Sequence, residues 1–143
     1  MSEFAWTKDH DFAFPSVKPF VKAVGQRLVV QVRTPAKKVG SIILANDTRE
    51  SEKWNTAVAR VISMGDLAYC DRNSGDEWPE GAWCKEGDFV LIPKYGAHTW
   101  QQPIPGREAG DEALFSIIND RDVIGVWDAD PLAYKGWVIG GAS

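Results

Sequence analysis

Apolar positions in this chain come in short runs separated by dense turn chemistry. Residues 27–33, spelled by Leu28, Val29, Val30 and Val32 between Gly25 and Pro35, read as a β-strand because β-branched side chains crowd a helix but suit a pleated surface. The same reasoning predicts strands at 56–64, closed by Gly65, at 89–92, stopped by Pro93, and at 114–118 and 123–127. No segment repeats apolar residues at i, i+3, i+4 and i+7 over a dozen positions, so the pattern predicts an all-β fold, a small barrel rather than alternating strands and helices.

The punctuation supports that architecture. Asp71, Asn73, Ser74, Gly75 and Asp76 form a hairpin tip, since Asn and Asp tolerate left-handed backbone and Gly favours it. Lys85, Glu86, Gly87 and Asp88 form a second turn, leading into the strand at 89–92. A loop containing Gly106 and Gly110 leads into the strand at 114–118. Before the first strand, Phe4, Trp6, Phe12, Phe14 and Phe20 are spaced by charges, and Pro15 and Pro19 exclude a long helix. This stretch reads as an extended arm whose aromatics dock on its own domain or on a neighbour. The expected organisation is an N-terminal arm at 1–20, a barrel at 21–127 and a C-terminal tail at 128–143.

Composition narrows the functional classes. The 143 residues suit one domain with one core. A net charge of −4 argues against a dedicated nucleic-acid binder, which carries a basic face. No apolar run approaches the roughly 20 residues that span a bilayer, and residues 1–10 lack a signal-peptide pattern, so a cytoplasmic protein is expected. Two cysteines, Cys70 and Cys84, make no disulfide scaffold.

Candidate chemistry is sparse. Phosphate-binding loops, nucleophile elbows and paired-cysteine motifs are missing from the sequence. A zinc set drawn from His10, Cys70, Cys84 and His98 has no recognised spacing. The turn at Asp71 fails as a calcium loop, because Gly75 falls one position early and Ala82 stands where a bidentate Glu is needed. The expectation is a protein that is not an enzyme, with no cofactor and no metal.

One feature is unusual. Ile42, Ile43 and Leu44 stand together inside a long polar stretch, with Lys37 and Lys38 before them and Asn46, Asp47, Arg49, Glu50, Glu52 and Lys53 after. Alone, the tripeptide reads either as a short buried strand or as an adhesive group on a mobile loop that reaches a partner's groove.

The order of these pieces resembles the GroES-like co-chaperonins, the lids of the chaperonin folding chamber. The likeness runs over 21–127. It rests on 26–30 with Arg27, on Gly40 and Ser41 before Ile42–Leu44, and on 59–65 ending in Gly65. It continues through Lys85, Glu86, Gly87 and Asp88 ahead of 89–92 with Tyr95 and Gly96, and closes on 122–126. The resemblance implies a barrel with a mobile loop, a roof hairpin between 66 and 83, and a closing strand that pairs with the next subunit. It implies a heptameric ring that binds an ATP-loaded chaperonin ring through Ile42, Ile43 and Leu44, with no nucleic acid or membrane partner. The arm, the tail at 128–143 and a long loop from 101 to 112 are additions to that pattern, and resemble divergent, phage-type members working in a host cytoplasm. The alternative function on the same barrel is a phage structural protein, a capsid decoration or cement subunit held by its tails.

Overall fold

The computed structural model describes residues 4–33, 56–93, 98–106 and 112–133. Among these the architecture is all-β. The strands are β1 (Arg27–Val32), β2 (Thr56–Met64), β3 (Phe89–Pro93), β4 (His98–Pro103), β5 (Glu112–Asn119) and β6 (Gly125–Val126). They form one antiparallel sheet in the order β4-β5-β1-β2-β3-β6, so β4 and β6 are its outer strands.

Side chains alternate across this sheet as the pleat requires. Leu28, Val30 and Val32 of β1 share one face with Ala57, Ala59 and Val61 of β2, Val90 and Ile92 of β3, and Ile118 of β5, and together they form the main core. Tyr69, Cys84 and Val123 close one end of it. Segment 66–88 supplies that closure. The Tyr69 backbone N–H donates to Asp120 Oδ2 (2.9 Å), and the Tyr69 ring packs within 5.4 Å of both Trp78 and Trp83. The hairpin tip lies where the turn residues predict it. Asp71 Oδ1 accepts the N–H groups of Asn73 and Ser74 (2.8 and 3.0 Å), Gly75 has φ +80°, and Cys70 pairs with Glu77. Those two bonds hold the Asp71 carboxyl below its ordinary pKa.

The opposite face is covered as well. Residues 4–20 lie across it, with Phe14 and Ala13 against Val58 and Phe89, and Val17 beside Phe115 and Trp100. This explains why β1 is buried on both faces beyond Arg27. Its outward polar residue, Gln31, is not solvated but donates from Nε2 to the Pro15 carbonyl (2.7 Å).

Three sequence expectations need correction. The arm is not extended throughout, because Lys8–Ala13 form a short helix, α1, with Asp9 and Asp11 in its first turn. It ends before Pro15, whose ring disfavours helical backbone at the preceding residue. The segment before residue 104 is not loop. β4 pairs with β5 along its length, from His98↔Ile117 to Pro103↔Glu112, and stacks Trp100 on Phe115 at 5.6 Å. The closing strand is also shorter than 123–127. Gly125 and Val126 pair with β3, flanked by bonds from the Ile124 and Trp127 N–H groups to the Leu91 and Phe89 carbonyls, while Val123 turns into the core.

Candidate interaction site

The long polar stretch begins and ends on paired backbone. Val32 pairs with Ala59, the Arg33 N–H donates to the Val58 carbonyl (3.0 Å), and Thr56 pairs with Pro93. Residues 34–55 therefore connect adjacent antiparallel strands at one end of the sheet. Ile42, Ile43 and Leu44, expected to bind a chaperonin, lie outside the described residues, as do Tyr95 and Gly96.

Arg33 fixes this base. It is 3% exposed, and its Nη1 donates to the Pro131 carbonyl (2.9 Å). A guanidinium stays charged in any protein environment, so burying it demands such partners. The sequence pattern, which places alternate polar residues of a strand in solvent, gave no sign of this anchor.

The outer strands make a second candidate surface. Beside β4, the side-chain amide of Gln102 is 1% exposed and grips the arm at two points. Its Oε1 accepts the Phe20 N–H (2.7 Å) and the Trp100 indole N–H (2.7 Å), while Nε2 donates to the Lys18 carbonyl (3.1 Å). The Phe20 side chain itself is 80% exposed, with Val21 and Val24 exposed beside it. At the β6 edge, Ile124 and Val126 are also exposed. A cleft of about 560 Å³ adjoins that edge, lined by Trp83, Lys85, Asp88, Phe89, Val126 and Trp127 among others.

These two edges are joined by a continuous register row. One row of Cα partners crosses the entire sheet through Gln101, Leu114, Val32, Ala59, Val90 and Val126.

The turn into β3 follows its sequence reading. Gly87 has φ +95° and Asp88 Oδ2 accepts the Lys85 N–H at 3.0 Å. Gly65 is also explained, since a Cβ there would lie 2.2 Å from the Gly25 carbonyl oxygen. The residues weighed as metal ligands have separate surroundings. His10 meets Asp130, Cys84 meets the Tyr69 hydroxyl (3.4 Å), Cys70 pairs with Glu77, and His98 lies beside Trp100. Among the described residues no helix is long and apolar enough to cross a membrane.

Comparison with known proteins finds no family model that matches the chain and no curated protein that matches it.

Proposed function

We propose that the protein is a co-chaperonin: a ring-shaped lid, heptameric by resemblance, that binds an ATP-loaded chaperonin ring and closes its chamber. In this reading the six-stranded sheet is the wall of a small GroES-like barrel and segment 66–88 is its roof. Ile42, Ile43 and Leu44 are the groups that enter the partner. The lid performs no reaction, and nucleotide hydrolysis belongs to the chaperonin. Its place of action is the cytoplasm, that of a host if the gene is carried by a phage.

The observation that supports this most is the base of the 34–55 connection. Two adjacent strands, locked by Val32↔Ala59 and the Arg33–Val58 hydrogen bond, hold both ends of a polar segment with one aliphatic tripeptide inside it. A rigid base with a polar tether is what a capture loop needs. Burying three aliphatic side chains stabilises a complex by roughly 4–9 kcal/mol, and ordering each tether residue costs about 1–2 kcal/mol. One loop therefore gains little by itself, and tight capture requires several loops on one ring.

The capsid alternative needs arms that grip a neighbour. Here residues 4–17 pack on their own sheet through Phe14 and Val17 and through the Pro15 carbonyl held by Gln31, which favours the lid. The test is co-elution of the purified protein with a bacterial chaperonin ring, with and without ATP. ATP-dependent co-elution supports the proposal, and separate elution in both conditions refutes it.

A further inference from the structure

Phe20 is a large ring held out on a fixed mount. Its backbone N–H and the Lys18 carbonyl are both bound by the buried amide of Gln102, yet its side chain is 80% exposed. With its backbone already placed, only the side chain of Phe20 remains to be ordered on binding. On the other outer strand, the cleft beside Val126 is walled by Trp83, Phe89 and Trp127. Its volume of about 560 Å³ falls in the range of roughly 300–1,000 Å³ typical of ligand pockets, which accommodates an aromatic side chain and part of its backbone.

Charge matches the two surfaces. Phe20 stands between the exposed Lys18 and Lys22, whereas the cleft is lined by Asp88 and Asp128 against one cation, Lys85. Different patches that meet head to tail generate a ring where the rotation between copies closes.

We infer that Phe20 of one copy enters the cleft lined by Trp83, Phe89, Val126 and Trp127 on the next copy, with Lys18 and Lys22 facing Asp88 and Asp128. The occupant is a second copy of this chain. The inference rests on the ring reading and names the residues that join its subunits.

Native mass spectrometry of the full chain tests it with two variants, Phe20→Ser and Val126→Asp. Both positions are exposed, so each variant keeps the parent's fold, checked by an unchanged circular-dichroism spectrum. The parent forms a ring and each variant alone is a monomer. An equimolar mixture of the two stops at a dimer, because one intact ring meets one intact cleft and the remaining surfaces are both spoiled. A ring that survives Phe20→Ser, or a mixture that stays monomeric, overturns this contact while leaving the ring reading standing. A parent that stops at a dimer overturns the head-to-tail geometry, and a monomeric parent refutes the ring reading itself.

Discussion

His10 and Asp130, 120 residues apart in the chain, meet at 2.8 Å. The imidazole Nδ1 accepts the Thr7 backbone N–H (3.0 Å), so the proton resides on Nε2 and is donated to Asp130 Oδ1. Phe4 stacks on the ring at 5.1 Å and Trp6 lies 5.0 Å away, which leaves His10 2% exposed. The same Asp130 oxygen accepts the Leu132 N–H (2.9 Å), and Pro131 next to it receives Arg33. The arm, the segment after β6 and the base of the 34–55 connection are thus tied at one point.

Asp130→Ala removes the acceptor from a buried imidazole and strands its N–H. Leaving such a donor unsatisfied costs about 1–3 kcal/mol. For a domain of this size the melting temperature should fall by roughly 3–10 °C. A thermal melt followed by tryptophan fluorescence checks this, and an unchanged midpoint contradicts a docked arm.

Gly65→Ala and Gly87→Ala separate crowding from backbone strain. A Cβ on Gly65 meets the Gly25 carbonyl oxygen at 2.2 Å and the Val24 carbonyl carbon at 2.7 Å, so backbone must move. Overpacking costs about 1–3 kcal/mol where side chains can yield, and here the cost reaches the upper end or beyond. A Cβ on Gly87 meets nothing within 4 Å, and the penalty is that of φ +95°, about 1–2 kcal/mol. Urea denaturation should therefore give the lower midpoint for Gly65→Ala. The reverse order contradicts the close approach of the Gly25 turn to the end of β2.

Burial pushes the Cys84 thiol up from 9.0; the Tyr69 hydrogen bond works against this and Asp88 adds to it. The Tyr69 hydroxyl is also pushed up, by burial first and then by its bond with Cys84. Both groups are acids whose folded pKa exceeds the unfolded one. Their stabilisation is complete below about pH 9 and is lost as pH rises toward the folded values. Unfolding free energy should decline above pH 9, less steeply in Cys84→Ala. At neutral pH a thiol reagent should label the half-buried Cys70 and reach Cys84, 5% exposed, only on unfolding. Equal labelling of both thiols in the native protein contradicts the packing of Tyr69 on Cys84.

The strands legible in the sequence are those whose own side chains fill the core. β2 occupies 56–64 as its run of Val58, Val61 and Ile62 predicts, and β1, β3 and β5 agree within two residues at each end. β4 was not legible, because His98, Thr99, Gln101 and Gln102 are polar and the strand is defined by its ladder with β5. Buried Gln31, Arg33 and Gln102 were equally hidden. Gln31 and Gln102 lie on strands and Arg33 just past the end of β1, and their partners, Pro15, Lys18 and Pro131, are remote in sequence. The tripeptide at 42–44 stands out by contrast with its polar flanks and lies outside the described residues. The Phe20 edge and the Trp83–Trp127 cleft required the sheet order, which no local pattern encodes.

The capture role of Ile42, Ile43 and Leu44 is tested most directly by Ile43→Ala, with Trp54→Ala as the control at the far edge of the loop. Chaperonin co-elution in ATP and thermal unfolding are measured on both variants. Losing one aliphatic group costs about 2 kcal/mol per loop and is multiplied over a ring. The lid reading predicts that Ile43→Ala melts like the parent and no longer co-elutes, while Trp54→Ala is milder. An Ile43→Ala protein that co-elutes normally but melts several degrees lower would place the tripeptide in the core and contradict it.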